Sequence, residues 1–307
     1  MTKAIFTATS EYVKELNDLP VKRHVSVSGI LKKLGVSRSG YRAWKNRIPS
    51  DTEVRREAVK EKIKDIYDTS HQNYGAPKIT VELHKAGEQV SEKTVGNYMR
   101  QMGIKAQWIR PYIHTTIDSD FSQSLKNILD EKFNPDQPDA VWVSDITYIW
   151  TFEGFVYLTS VMDLYSRKII AWELSNTLEA SHVVRCIEKA KAKRDIVRPL
   201  IFHTDRGCQY VSEAFRNATA GMINSYSKKA YPWDNACIES FHALLKREWI
   251  NRFKIFNYSH AYRLIFEYIE TFYNTVRIHS HCGYLSPDQY EAAYFQTLEE
   301  KNAGLAS

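Results

Sequence analysis

The fold of this chain is decided by one stretch, Val141-Trp142-Val143-Ser144-Asp145-Ile146-Thr147-Tyr148-Ile149. Its β-branched and aromatic residues predict a strand, and its single carboxylate, Asp145, lies among apolar neighbours. A charge in such a setting is costly unless a cation, a basic partner or a water-filled cleft compensates for it. Asp145 is therefore the first candidate functional residue.

Two further carboxylates have comparable settings. Residues 199–204 predict a buried strand that ends at Asp205, before a glycine-containing turn. Open α/β sheets usually place their sites at this edge. Glu239 belongs to a helix predicted from residue 233 or 234 to residue 249, where a favourable interaction with the helix dipole is the alternative explanation.

Asp145, Asp205 and Glu239 together form a set of oxygen donors that suits hard divalent cations. Carboxylate oxygens are natural ligands of Mg²⁺, which completes its coordination with water and phosphate oxygens. Two such ions about 4 Å apart can stabilise the attacking and the leaving oxygen of a phosphoryl displacement. The three acids thus predict a metal-dependent phosphoryl-transfer site.

The order of predicted elements around these acids is βββαβαβα. The strands are residues 142–149, 155–162, 168–174, 199–204 and 222–227, and the helices are residues 180–193, 212–218 and the Glu239 helix. This order indicates an α/β fold with a mixed five-stranded sheet and helices on both faces. The first and fourth strands are expected to be neighbours, which brings Asp145 and Asp205 together.

The charge of the chain is unevenly distributed. The sequence of 307 residues has a formal net charge of +6, but residues 1–110 hold 21 Lys and Arg against 12 Asp and Glu. This basic first third favours a phosphate-rich partner, with a solvated helical surface as the alternative.

The four cysteines are far apart, which indicates neither a disulfide framework nor a zinc finger. No apolar run approaches the roughly 18 residues of a membrane span, so we expect no membrane partner and a cytoplasmic location.

Two helix-turn-helix patterns precede the predicted sheet. In residues 26–47, apolar residues at helical spacing flank a turn, and Ser37 or Ser39 can cap the second helix. In residues 77–102, the turn is at Gly87, and Ser91 can cap the second helix. The second helices carry side chains that could contact DNA, namely Arg38, Arg42 and Lys45 in the first pattern and Lys93, Asn97 and Arg100 in the second. Ordinary helical hairpins are the alternative.

These patterns divide the chain into five predicted segments. Residues 1–50 form an all-α helix-turn-helix module, and residues 51–107 form a second one with a leading helix. Residues 108–138 are a polar linker, residues 139–252 the core that holds the acids, and residues 253–307 a C-terminal helical region.

The motifs around the acids resemble those of a known family. They read Trp142-x-x-Asp145-x-Thr147-Tyr148, His203-x-Asp205-x-Gly207-x-Gln209-Tyr210 and Asp234-Asn235-Ala236-x-x-Glu239-Ser240-Phe241. They are similar to the DDE integrase core of insertion-sequence transposases of the IS3 type, second-frame protein. The C-terminal signature Tyr273-Asn274-x-x-Arg277-x-His279-Ser280 is similar as well. The resemblance covers about residues 25 to 292.

This resemblance implies a ribonuclease-H-like integrase fold and a role in DNA transposition and integration. The implied reaction cleaves an element end to a 3′ hydroxyl, which then attacks another phosphodiester. It implies two Mg²⁺ ions, with Mn²⁺ as a substitute; Asp145 would bridge them, and Asp205 and Glu239 would each hold one. The implied partners are double-stranded DNA (terminal inverted repeats and target), further copies of the chain on DNA, and a first-frame protein fused by frameshifting. The implied location is the bacterial cytoplasm, in association with the nucleoid.

Further basic residues lie near the predicted site. Lys246 is at i+7 from Glu239 and shares its helix face, as His242 does at i+3. We expect Lys246 to contact a phosphate, and Lys228 and Lys229 to hold flanking DNA.

Two features depart from the family pattern. Only 33 residues separate Asp205 from Glu239, two fewer than is typical of the family, and Ala230 stands where a glycine is common. The alternative function is therefore an inactive DNA-binding copy or regulator that occupies element ends. A generic ribonuclease-H-like nuclease is a third choice, which would not need tandem DNA-binding modules.

Overall fold

Residues 2–18, 26–107, 125–228 and 232–305 are described by a computed structural model of the chain. The chain forms two units, Met1–Lys62 and Ile63–Ser307. Part of the predicted linker, residues 108–124, lies outside the described residues, as do Lys229 and Ala230.

The first unit is helical. It contains α1 (Thr2–Asn17), α2 (Val27–Lys33) and α3 (Arg38–Lys45). Gly35, at a φ of +66°, lies in the turn between α2 and α3, where a side chain would be strained. The Ser37 hydroxyl caps α3 by accepting a hydrogen bond from the Gly40 N–H at 3.2 Å. This arrangement confirms the predicted helix, turn and helix.

The second helix-turn-helix follows a long connecting helix. The elements are α4 (Asp51–Thr69), which begins in the first unit, α5 (Ala76–Lys85) and α6 (Glu92–Gln101). Gly87 turns the chain at a φ of +82°, and the Ser91 hydroxyl caps α6. The apolar sides of α5 and α6 are buried through Ile79, Leu83, Val95 and Met99.

A mixed sheet forms the centre of the second unit. Its strands are β1 (Val141–Thr151), β2 (Gly154–Asp163), β3 (Ile169–Ser175), β4 (Ile201–Thr204) and β5 (Ile223–Tyr226). They lie in the order β3-β2-β1-β4-β5, with β1 antiparallel to β2 and β2 antiparallel to β3. Strand β4 runs parallel to both β1 and β5. The predicted five-stranded sheet with neighbouring first and fourth strands is confirmed.

Helices cover both faces of this sheet. They are α7 (Ala180–Ala192), α8 (Glu213–Ala218) and α9 (Ala236–Glu248), the last preceded by a 3₁₀ turn at Pro232–Asn235. Trp142 of β1 belongs to the apolar core on the α7 side, together with Val183 and Phe202. Asp145, an odd number of residues along the same strand, points to the other face. There it meets His242 of α9.

The C-terminal region is tied to the sheet by polar side chains. It comprises a 3₁₀ turn at Ile250–Arg252, α10 (Tyr258–Phe266), a π-helical segment at Glu267–Tyr273, and α11 (Pro287–Leu305). The Asn274 amide accepts a hydrogen bond from the N–H of Ile169 and donates one to its carbonyl, both at 3.0 Å. Glu291 of α11 is buried and accepts a hydrogen bond from Arg194 at 2.7 Å. None of the helices described is long and apolar enough to cross a membrane.

Candidate active site

Parallel pairing of β1 and β4 brings two of the predicted acids together. The last residues that pair between these strands are Ser144 and Thr204. Asp145 follows Ser144, and Asp205 follows Thr204. Both acids line one cleft of about 170 Å³, whose wall also includes Tyr148 and Gln209. The sequence-based expectation that strand order would juxtapose these carboxylates agrees with this geometry.

The turn after β4 holds Asp205 in place. One oxygen of its carboxylate, Oδ1, accepts a hydrogen bond from the Gly207 N–H at 2.9 Å. A Cβ on Gly207 would lie 3.1 Å from that oxygen, so a side chain there would press against the carboxylate. The Arg206 Nε donates to the Ser227 carbonyl at 2.7 Å. The turn is thus tied to the end of β5.

Asp145 is surrounded by buried polar groups. Its side chain is 19% exposed, and its Oδ2 lies 3.3 Å from Nδ1 of His242, which is only 6% exposed. The preceding residue, Ser144, shares a 3.0 Å hydrogen bond with the Tyr210 hydroxyl. Tyr210 is fully buried, and this burial, followed by the nearby charges of Asp145 and Asp205, raises its pKa well above the ordinary value. Tyr210 therefore remains a neutral hydrogen-bonding partner of Ser144 in the wall of the cleft.

Glu239 lies beside Asp145 on the first turns of α9. Two residues before that helix attach it to the sheet: Asp234 Oδ2 accepts from the Lys228 N–H at 2.6 Å, and Asn235 Nδ2 donates to the Ser144 carbonyl at 3.4 Å. Glu239 is exposed as a residue. Nevertheless, surrounding protein atoms partly desolvate its carboxyl group, and this desolvation, with the negative charge of Asp145, raises its pKa.

The chemistry of the donor set fits a hard divalent cation. Asp145 and Asp205 present carboxylate oxygens to one cleft, and such oxygens are the ligands that Mg²⁺ prefers. Within the ranges described, no group of three His, Cys, Asp or Glu side chains is close enough to hold a metal ion. Glu239 accordingly lies next to the two aspartates, in electrostatic contact with Asp145, and does not line their cleft.

The predicted DNA-binding side chains of the helical modules are all exposed. They are Arg38, Arg42 and Lys45 on α3, and Lys93, Asn97 and Arg100 on α6. On α6 the Arg100 guanidinium donates to the Asn97 amide oxygen at 3.0 Å, so the two side chains form one polar surface. This exposure leaves both second helices open to a large partner.

The basic residues near the cleft have local contacts. Lys228 forms an ion pair with Asp130 at 3.0 Å, and Lys229 lies outside the part of the chain that is described. Lys246 is half-buried, and its ammonium lies 4.7 Å from the centre of the Tyr148 ring. Burial lowers the pKa of Lys246, and the charge of Asp145 opposes that shift. Lys246 thus connects α9 to Tyr148, a residue of the cleft wall.

His203 has a buried position between two serines. Its Nδ1 lies 2.9 Å from the Ser225 hydroxyl, and its Nε2 lies 3.2 Å from the Ser227 hydroxyl. Desolvation lowers its pKa to about 4, although the Asp234 carboxylate acts in the opposite direction. These contacts connect β4 to β5 beneath the Asp205 turn.

The C-terminal signature residues hold the fold together. Arg277 forms a buried bidentate ion pair with Glu248, with both N–O distances at 2.7 Å. The Tyr268 hydroxyl donates to the same carboxylate at 2.8 Å. The Tyr273 hydroxyl donates to the Arg167 carbonyl at 3.1 Å. The sequence motif marked this region, but only the fold identifies Glu248 as the partner of Arg277.

Sequence reasoning missed two residues that contact the site. Helical spacing puts His242 on the same helix face as Glu239 but does not predict its contact with Asp145. Ser160, fully buried on β2, lies opposite Asp145 in the antiparallel register and 3.2 Å from Nε2 of His242. A register worked out from the hairpin turn at residues 152–153 could have identified Ser160.

Comparison with family sequence models gives matches over most of the chain. The model described as Integrase core domain matches residues 135–231, and a second model with the same description matches residues 220–287. The model described as HTH-like domain matches residues 54–112.

Curated proteins match over nearly their whole length. The transposase for insertion sequence element IS904 of Lactococcus lactis subsp. lactis is 39% identical over 248 residues, which are 80% of this chain and 98% of that protein. Transposase InsF for insertion sequence IS3A of Escherichia coli K12 is 34% identical over 271 residues, 87% of this chain and 94% of that protein.

Solved structures of integrases are also similar, at low sequence identity. A simian T-cell lymphotropic virus intasome chain has a TM-score of 0.42 and 14% identity, and the match covers 75% of this chain and 74% of that one. The HTLV-2 integrase catalytic core, solved with magnesium, has a TM-score of 0.39 and 15% identity, covering 51% of this chain and 98% of that one.

Proposed function

The chain belongs to the IS3 family of insertion-sequence transposases, and from this premise we propose that it is a DDE transposase acting on element ends. Its class of activity is polynucleotidyl transfer during DNA transposition. The specific reaction we propose has two steps. Hydrolysis of a phosphodiester at the element end exposes a 3′ hydroxyl, and that hydroxyl then attacks a second phosphodiester and displaces its 3′ oxygen.

One observation supports this proposal above the others. Asp145 and Asp205 follow the last paired residues of two adjacent parallel strands and line the same cleft. Glu239 is close enough for the charge of Asp145 to raise its pKa. The two carboxylates of the cleft and the carboxylate of Glu239 beside it repel one another, and a bound cation would relieve that repulsion.

We assign Asp145, Asp205 and Glu239 as the residues that would hold two Mg²⁺ ions, or Mn²⁺ in their place. Such ions, when bound, activate the attacking oxygen and stabilise the leaving oxygen. The chain itself keeps the carboxylates oriented: the Gly207 N–H holds Asp205 Oδ1, and the Asn235 amide connects α9 to β1 beside Asp145. Lys246, above the Tyr148 ring, would contact a phosphate of the reacting strand.

DNA would be bound by both helical modules. The exposed basic residues of α3 and the polar surface of α6 would dock on the terminal inverted repeats, and Lys228 and Lys229 would hold flanking DNA. Joining two ends to a target requires two active sites, so we propose further copies of the chain on the DNA. A first-frame protein fused by frameshifting is a further proposed partner, and we place the reaction at the bacterial nucleoid.

An inactive DNA-binding copy is the second candidate function, and two observations favour it. The interval from Asp205 to Glu239 is shorter than the family pattern, and the intervening α8 has only 6 residues. In addition, Glu239 does not line the cleft that the two aspartates share. Such a protein would occupy element ends through its helical modules without cutting them.

Cleavage of a labelled duplex tests the two candidates against each other. The duplex carries the element's own end and is incubated with the protein in Mg²⁺, in Mn²⁺ and with EDTA. We expect 3′-end nicking and strand joining with either metal, and end binding without cleavage in EDTA. Asp145→Asn and Glu239→Gln should abolish cleavage and leave end binding within a few-fold of wild type.

Glu188→Gln is the matched control for these variants. It makes the same chemical change at an exposed ion pair with Lys191 on α7, and should cleave as wild type does. Wild-type protein that binds ends without cleaving in either metal would establish the inactive copy. Cleavage by Asp145→Asn at the wild-type rate would remove Asp145 from the proposed site.

A further inference from the structure

His242 occupies a buried position between two residues of the sheet. It lies on α9, one turn after Glu239, and is 4% exposed. Its Nε2 is 3.2 Å from the hydroxyl of Ser160, and its Nδ1 is 3.3 Å from Oδ2 of Asp145. Ser160 itself is fully buried, and it pairs with Asp145 across β1 and β2. The imidazole therefore bridges a paired serine and aspartate.

The contacts of the two ring nitrogens indicate which nitrogen of the neutral imidazole carries the proton. The Ser160 hydroxyl can donate to Nε2, which leaves the N–H on Nδ1. The opposite arrangement would point the lone pair of Nδ1 at the lone pairs of a carboxylate oxygen, which is repulsive. Among the residues described, Nδ1 has no aligned hydrogen-bond partner, and a buried N–H without one is destabilising. A small rotation of the Asp145 carboxylate would complete this bond.

We propose that His242, held by Ser160, is a positioning residue that fixes the orientation of the Asp145 carboxylate. Donation from the Nδ1–H to Oδ2, which lies 3.3 Å away, would commit the other oxygen to the cleft that Asp145 shares with Asp205. This inference rests on the proposed function of Asp145 as a cation ligand. Hydrogen bonds from a second layer of residues orient ligands, and their loss commonly weakens metal binding or activity 10- to 100-fold.

The position of His242 also couples two of the proposed ligands. His242 follows Glu239 by three residues, so both side chains lie on the same face of α9. The packing of this helix face against β1 brings Glu239 near Asp145. The same packing places the His242 imidazole 3.3 Å from the Asp145 carboxylate. The helix thus supplies one ligand and orients another.

Direct titration of the DNA-free protein with Mn²⁺ tests the proposal without relying on catalysis. Isothermal calorimetry would measure Mn²⁺ affinity for wild type, His242→Ala, His242→Asn, His242→Gln and Ser160→Ala, with circular dichroism to confirm folding. An asparagine can place its N–H near the position of Nδ1, whereas a glutamine reaches toward the position of Nε2. We expect His242→Ala and His242→Gln to weaken Mn²⁺ binding 10- to 100-fold. His242→Asn should restore it to within a few-fold.

The serine variant separates orientation from simple packing. Ser160→Ala should weaken Mn²⁺ binding in the wild-type background and have no further effect in the His242→Ala background, because its action passes through the imidazole. Folded His242→Ala protein that binds Mn²⁺ as wild type does would overturn the proposal. Equal Mn²⁺ affinities for His242→Asn and His242→Ala would overturn it as well.

A further variant distinguishes this failure from failure of the proposed function. If Mn²⁺ binds wild type and is lost in Asp145→Asn, Asp145 is a ligand, and the His242 variants report on its orientation even in a protein that does not cut DNA. Wild-type protein that binds no Mn²⁺ would overturn both the metal-dependent function and the role of His242.

Discussion

Replacing Arg277 by alanine removes the cation from a buried ion pair. The side chains of Arg277 and Glu248 are 7% and 6% exposed, and two hydrogen bonds of 2.7 Å join them. After the substitution, the Glu248 carboxylate keeps the Tyr268 hydroxyl, at 2.8 Å, and the more distant Arg247 guanidinium, at 3.7 Å. The negative charge of Glu248 would then lack the two hydrogen bonds from Arg277 that offset its removal from water.

The expected cost follows from that uncompensated charge. Burial alone would raise the pKa of Glu248, but the hydrogen bonds and charge of Arg277 outweigh burial and hold the pKa below its ordinary value. Removing one partner of such a pair typically destabilises a protein by about 3–5 kcal/mol. Since the folded pKa is depressed, the wild-type contribution is present above about pH 4.5 and is lost as the pH falls through the folded pKa. The difference between wild type and variant should therefore be largest at neutral pH.

Urea unfolding followed by tryptophan fluorescence measures this difference. Arg263→Ala is the control, because Arg263 is 68% exposed and lies 3.9 Å from Glu267, and such a surface pair contributes less than about 0.5 kcal/mol. A double variant, Glu248→Leu with Arg277→Met, should recover much of the loss by replacing the pair with apolar side chains. A loss below about 1 kcal/mol in Arg277→Ala would contradict the expected cost, since it would mean that the carboxylate finds compensation elsewhere.

Three further predictions concern the cleft, the helical module and the DNA contacts. Gly207→Ala should reduce cleavage at least about 10-fold without changing end binding, because its Cβ would lie 3.1 Å from Asp205 Oδ1 and displace it; unchanged cleavage would show that the turn can relax. Burial lowers the pKa of Lys78 to about 7 from 10.5, so the unfolded chain binds more protons between these values and wild-type stability should rise with pH there. Lys78→Met should lack that rise when unfolding is compared at about pH 6.5 and about pH 9.5, and parallel curves for the two proteins would contradict it. Arg42→Ala should weaken end binding and lower the slope of log affinity against log salt by about 1, whereas an unchanged slope would argue against a phosphate contact.

Much of the fold followed from local patterns. β-branched and aromatic residues predicted the first strand, and the order βββαβαβα predicted that β1 and β4 would be neighbours, as they are. Either Ser37 or Ser39 was predicted to cap α3, and Ser37 does so; Ser91 caps α6 as predicted. Caps, turns and strand alternation depend on residues a few positions apart, so the sequence reports them directly.

The interior of the site depended on contacts between distant segments. His242 was expected only to share a helix face with Glu239, because helical periodicity says which residues are together but not what they face. Its contact with Asp145 requires α9 to pack on β1 at one depth and one rotation, which is set by side chains along both elements. Likewise, Glu239 was expected among the ligands, whereas in the described structure it lies beside the cleft of Asp145 and Asp205.

The amino-acid sequence is enough to predict the order of the elements, the basic side chains of α3 and α6, and the setting of each acid: Asp145 within a strand, Asp205 at a strand end and Glu239 in the first turns of a helix. Only the folded structure shows which groups support those acids, namely Ser160 and His242 at Asp145 and the Gly207 N–H at Asp205. It also identifies Glu248 as the partner of Arg277. The physical reason is that periodicity and capping are short-range properties, whereas burial of a charge is compensated by whichever polar group the packing of remote segments brings within about 3 Å.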